Sequence, residues 1–83
     1  MWYVYILYSL KIDRYYTGYT DDIPWRLQRH NAGWGRYTKR GIPWTLQYTE
    51  SFETKHEAIR REREIKQKKS RQYIEARIRG VLD

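Results

Sequence analysis

The sequence predicts an α+β domain with its elements in the order β-β-α-β-α-α. Three observations carry this prediction. Two runs of aromatic and β-branched residues, Trp2–Tyr8 and Tyr15–Thr20, are separated by a short polar turn, the pattern of a hairpin. A third run, Trp44–Thr49, alternates apolar with polar residues at the period of a strand. Helix-start signals stand at Asp22, Thr54 and Ser70.

The first strand, Trp2-Tyr3-Val4-Tyr5-Ile6-Leu7-Tyr8, is β-branched and aromatic throughout, so it reads as covered on both faces. Lys11-Ile12-Asp13-Arg14 makes the turn, and Tyr15-Tyr16-Thr17-Gly18-Tyr19-Thr20 the second strand. Gly18 inside that strand marks a bulge or a place where another group comes close. Asp22 is a good N-cap, Pro24 fits the first turn of the helix, and Gly33 stops it. Ile23 and Leu27, four apart, face the core. Residues 33–43 carry three Gly and one Pro and read as a basic, aromatic loop. Trp44, Leu46 and Tyr48 then form the buried face of the third strand. Thr54 and Glu57 make a capping box for a helix reaching about Lys69. Ser70 restarts a last helix through Ile74 and Ile78, ending near Gly80.

The 83 residues allow one domain, 1–83. With no cysteine, a disulfide-stapled module and a zinc ribbon are excluded. No apolar stretch approaches the roughly 20 residues of a membrane span. Fourteen aromatic residues argue against disorder despite a mean hydropathy of −1.03. The N-terminus lacks a basic start and a cleavage site, so a cytoplasmic protein is expected. The net charge of +7 favours an anionic partner, and nucleic acid is the commonest. By sequence the excess sits in the C-terminal third, where Lys66, Lys68, Lys69 and Arg71 crowd together; a solvated helix face is the ordinary reading of such a run.

One residue breaks the pattern. The helix after Thr54 has a sparse apolar face of Ala58, Ile59 and Ile65, and Glu62 falls in the middle of it. A carboxylate there costs free energy unless it is paired, hydrogen-bonded or bound to metal. It is either a structural salt bridge to an Arg or a metal ligand or acid/base group; Glu64 points elsewhere. Arg26 lies at the edge of the first helix's buried face. It either snorkels to water or joins a carboxylate and tyrosines in a phosphate-sized pocket. Tyr5 and Tyr16 lie on paired strands and share a face if the residue numbers of opposed pairs sum to an odd value, which the turn decides.

The order of these residues resembles the GIY-YIG nuclease family. Tyr3-Val4-Tyr5 matches its first motif, Tyr16-Thr17-Gly18 its second, and Arg26, eight residues after Gly18, its helical arginine. His30-Asn31 is similar to a pair common in the small stand-alone branch, and Glu62 falls at the metal-binding glutamate. The resemblance spans about residues 2–78 and extends to the N-terminal nuclease domain of the bacterial excision-repair incision subunit. It implies a three-stranded antiparallel sheet flanked by helices, and metal-dependent cleavage of DNA. Glu62 and a phosphate oxygen would hold one Mg²⁺ or Mn²⁺, with no organic cofactor. Arg26 would contact the phosphate, and Tyr5 or Tyr16 would orient or deprotonate the attacking water. His30 would accept a proton or orient the phosphate; its ordinary reading is a cation at a helix C-terminus. Gly18 and Asn31 would be structural. DNA contacts are expected from Arg36, Tyr37, Lys39 and Arg40 in the loop, and from Lys66 and Lys69.

Two positions depart from the family pattern. Tyr3 stands where the first motif has Gly, and Tyr19 where excision-repair members often have Lys. The expected function is a metal-dependent DNA endonuclease of repair or recombination, on branched, nicked or single-stranded DNA, acting as a monomer or weak homodimer. The alternative is a weak or inactive nucleic-acid-binding module. A third reading makes Trp25, Trp34 and Trp44 exposed anchors for a protein partner.

Overall fold

The computed structural model describes residues 1–80. The predicted domain runs on to Asp83, outside the described residues. The order is β1 (Trp2–Ser9), β2 (Arg14–Thr20), α1 (Ile23–Asn31), a 3₁₀ turn (Thr38–Gly41), β3 (Trp44–Phe52), α2 (Lys55–Lys68) and α3 (Arg71–Arg79). This is the predicted β-β-α-β-α-α succession, with the 3₁₀ turn inside the predicted loop.

The strands form one antiparallel sheet, ordered β2-β1-β3. β1 is therefore central, which explains its composition. Val4, Ile6 and Leu7 are fully buried, Val4 and Ile6 toward one face and Leu7 toward the other. On one face Tyr5, Leu7 and Trp44 pack with Leu27 of α1. On the other, Val4 packs with Ala58 and Ile65 of α2 and with Tyr73 and Ile74 of α3. Ile23 is only half-buried and joins neither cluster.

The helix ends follow their local chemistry. The Asp22 carboxylate accepts from Trp25 N–H at 3.0 Å and starts α1. Both hydrogen bonds of the Thr54–Glu57 box form at α2, and Ser70 Oγ accepts from Tyr73 N–H at α3. Such caps contribute about 1 kcal/mol each. Gly80 closes α3 with φ +78°, where only glycine is unstrained.

β3 departs from the predicted alternation. Ile6 pairs with Tyr48 and Leu7 with Leu46, so Gln47 is the extra residue of a bulge. The bulge sends Leu46 and Tyr48 to opposite faces. Leu46 is left 39% exposed, whereas Trp44 is 2% exposed in the core. Trp44 is thus no exposed anchor. Its indole N–H donates to Thr38 C=O at 2.6 Å, and its ring lies so close to Gly41 that a Cβ there would be 2.6 Å from Cζ2.

Candidate active site

Tyr5 pairs with Gly18, two residues from Tyr16, so the register puts both phenols on one face. Their ring centroids are 6.4 Å apart. Gly18 is where Tyr5 crosses the sheet: a Cβ would stand 2.6 Å from Tyr5 Cζ. Any side chain there would displace the ring, which accounts for glycine in the middle of a strand.

α1 brings His30 and Arg26 to these phenols. His30 is 7% exposed and bonded at both ring nitrogens. Nε2 is 2.9 Å from the Tyr5 hydroxyl and Nδ1 is 2.8 Å from Thr38 Oγ1. Burial, and then the Arg26 charge, hold the His30 pKa below its ordinary 6.5. The ring is therefore neutral at pH 7, with one nitrogen donating and the other accepting. This corrects the reading of His30 as a helix-terminal cation: it is a buried link between Tyr5 and Thr38. Burial, then Tyr16, push the Tyr5 phenol well above its usual range, with Arg26 pulling the other way.

Asn31, next along α1, turns away to the start of β3. Its Oδ1 accepts from Trp44 N–H at 2.6 Å and its Nδ2 donates to Trp44 C=O at 3.1 Å. These bonds anchor the end of α1 to the sheet and so hold His30 in place.

α2 supplies Glu62 from the opposite side. Its side chain is 15% exposed, and its ion-pair partner is Lys66, one turn on, at 3.4 Å. The partner is a lysine rather than the expected arginine. Lys66 Nζ also lies 5.6 Å from the Tyr16 ring centroid. Glu64 points elsewhere, pairing with Arg61.

Tyr5, Tyr16, Arg26, His30 and Glu62 all line one cavity of about 360 Å³, within the size range of small-ligand clefts. Gly18 lines it too, as does Tyr19, packed 6.3 Å from the Trp2 ring. The Arg26 Nε is buried and has no hydrogen-bond partner among the described residues. The guanidinium of a residue lining the cleft is suited to a phosphate oxygen. No group of three or more His, Cys, Asp or Glu comes together among the described residues. A caged metal is therefore not what these residues fit. They fit a hard cation held by one carboxylate, phosphate oxygens and water, the usual arrangement of Mg²⁺.

The predicted DNA-contacting residues divide. Tyr37 stacks on Tyr16 at 6.2 Å, and Arg36, Lys39 and Arg40 are exposed on the same turn. Lys66 touches two residues of the cavity, Glu62 and Tyr16, whereas Lys69 lines a separate groove with Arg14, Tyr15 and Arg71. Three residues escaped the sequence reading. Thr38 holds His30, and Asp21 and Lys55 line the cavity. A basic residue one position after the Thr54 cap gives no signal in one dimension. In space it puts Lys55 on the same cavity as Tyr19, the position that lacks the family's lysine.

Comparison with known proteins agrees with this geometry. The family model described as the GIY-YIG catalytic domain matches residues 1–75. The chain belongs to the GIY-YIG family. A UPF0213 protein of Halobacterium salinarum is 57% identical over 54 residues, covering 64% of this chain and 70% of the relative. One from Staphylococcus haemolyticus is 51% identical over 65 residues, covering 77% and 78%. The solution NMR structure of a UPF0213 protein from Bacillus halodurans superposes with a TM-score of 0.55 at 43% identity, over 90% of this chain and 80% of that one. These GIY-YIG relatives are small proteins, and the family is nuclease-like, implying a nucleic-acid substrate. Its nucleases generally use a divalent metal.

Proposed function

We propose that this GIY-YIG chain is a metal-dependent DNA endonuclease and that the cavity around Arg26 receives the scissile phosphodiester. The observation that carries this reading is the convergence of the Glu62 carboxylate, the Arg26 side chain and the phenols of Tyr5 and Tyr16 on one cleft.

The chain's residues divide the work. Arg26 donates to a non-bridging phosphate oxygen and offsets the charge that develops there. Tyr16 is the phenol that orients the attacking water: it is half-exposed, and its hydroxyl has no hydrogen bond among the described residues. Tyr5, buried and shared with His30, positions the phosphate side of the cleft. The water oxygen bonds to phosphorus and a bridging P–O bond breaks. The water gives up one proton and the leaving oxygen takes one. A Mg²⁺ or Mn²⁺ ion held by Glu62 would supply Lewis-acid stabilisation of that oxygen.

Glu62→Gln keeps the shape and removes the charge. Cleavage of branched, nicked and single-stranded DNA in Mn²⁺ is expected to fall by roughly 10²-fold or more. Thermal stability and DNA affinity should be retained. Undiminished cleavage by Glu62→Gln refutes the assignment. Salt-sensitive binding by the wild type with no cleavage under either metal makes the chain a binding module, the reading that Tyr19 in place of lysine favours.

A further inference from the structure

The outer face of α1 carries a second arrangement beside the cavity. The guanidinium of Arg29 lies between two indoles, its Cζ 4.4 Å from the Trp25 ring centroid and 4.0 Å from that of Trp34. Both indoles are exposed, Trp25 46% and Trp34 68%. The stack is held in place, because Trp34 N–H donates to Arg29 C=O at 3.1 Å. Arg29 forms no ion pair among the described residues.

The stack is continuous with the candidate site. Arg26 lies 5.4 Å from the Trp25 ring centroid and also lines the cavity. A small cleft lined by Arg26, Arg29, His30, Trp34 and Gly35 shares Arg26 and His30 with the cavity.

The surroundings select the occupant. From Ile23 to Thr49 the chain has five Lys or Arg and no Asp or Glu. An apolar peptide anchor has no use for this many cations, and an acidic one has no use for two exposed indoles. A nucleotide uses both: its base has a flat π-face and its phosphate a negative charge. In continuous duplex those faces are already stacked on neighbouring bases. The platform therefore suits a base that has left the stack.

We propose that Trp25, Arg29 and Trp34 form a base-stacking platform that holds an unpaired nucleotide next to the phosphate at Arg26. The chain then engages single-stranded or splayed DNA in preference to continuous duplex. This deepens the nuclease reading and rests on it for the position of the phosphate.

Binding without metal tests the platform separately from cleavage. The full chain is titrated with a labelled oligothymidylate, with a duplex of the same length, and with the oligothymidylate carrying abasic positions. Trp34→Ala should weaken the single strand roughly ten-fold and the duplex less than about two-fold. Trp34→Phe, which keeps an aromatic face, should retain most of the affinity. Abasic DNA should bind the wild type more weakly but show no further loss with Trp34→Ala. Equal losses on both DNAs, or none, overturn the proposal. If Glu62→Gln abolishes cleavage while Trp34→Ala leaves binding unchanged, the platform fails and the nuclease reading stands. If the stacking signature is present and the wild type cuts nothing, the platform stands and the nuclease reading fails.

Discussion

Thr38 holds the buried His30 of the cleft at its Nδ1. The Tyr5–His30–Thr38 chain has two arrangements. Either Tyr5 donates to Nε2 and Nδ1–H donates to Thr38, or both bonds run the other way. The threonine hydroxyl serves in both, since it can donate or accept. Thr38→Val keeps the shape and removes that capacity in a position only 1% exposed. Leaving Nδ1 without a partner costs about 1–3 kcal/mol, so the melting temperature should fall. The sharper readout is ¹⁵N NMR of His30, where the tautomer equilibrium should move. Thr38→Ser should restore both. An unmoved tautomer would mean that Thr38 only fills space. Gly18 shows the same dependence of one residue on another, since its missing Cβ is the space through which Tyr5 reaches His30.

The β3, α2 and α3 elements are joined by a polar network. The guanidinium of Arg61 grips the Glu50 carboxylate twice, Nε to Oε1 at 2.9 Å and Nη2 to Oε2 at 3.1 Å. It also donates to the Tyr73 hydroxyl at 3.0 Å, and Tyr48 donates to Glu50. Burial pushes the Glu50 carboxyl up, but the hydrogen bonds from Arg61 and Tyr48 outweigh it and leave the pKa below its ordinary 4.5. The Tyr48 phenol is pushed up to about 12 by burial and by that same carboxylate. A carboxyl held lower in the folded state than in the unfolded one stabilises the fold above its ordinary value. That contribution is lost as pH falls through the depressed value. The melting temperature is therefore expected to drop on acidification from about pH 4.5. Glu50→Gln should flatten that drop and cost about 1–3 kcal/mol at neutral pH. Asp13, held to about 2 by Arg71 and Tyr8, titrates in the same direction, so the difference between Glu50→Gln and wild type isolates this network. An unchanged acid profile in Glu50→Gln would remove Glu50 from the account. Features at this scale were legible in the sequence where their cause is local. The Asp22 cap and the Thr54–Glu57 box are readable because donor and acceptor lie within one turn. The Gln47 bulge was not, because a register shift exists only relative to a partner strand. Arg61 was not singled out either, since its partner Glu50 lies on another element.

Pairing across the molecule also rearranges the charge that the sequence displays. The C-terminal third carries the larger formal excess, yet there Arg61 pairs with Glu50 and Glu64, Arg71 with Asp13 and Glu75, and Lys66 with Glu62. Arg26, Arg29, Arg36, Lys39 and Arg40 form no ion pair among the described residues. Lys55, Arg60, Arg63, Lys68, Lys69 and Arg79 of the C-terminal third likewise form no ion pair among the described residues, so the expected electropositive third keeps part of its excess. What separates the α1 and loop cations is their place: Arg26 lines the cleft, and the loop residue Tyr37 stacks on Tyr16 of the same cleft. The candidate catalytic residues themselves were legible, because a family pattern records their order along the chain. Which cations stand beside the cleft was not, since charge counted along a chain ignores position in space. Removing two charges from each region separates local from total charge. Lys39→Ala with Arg40→Ala should weaken DNA binding and lower the dependence of log affinity on log salt by about 0.7–0.9 for each phosphate the protein no longer neutralises. Lys68→Ala with Lys69→Ala removes the same formal charge. Yet Lys68 sits 5.2 Å from the Tyr73 ring centroid and Lys69 lines the separate groove, so the slope should hardly change. Equal slopes for the two double variants would mean that DNA responds to total charge alone, leaving the loop beside His30 no special part in binding.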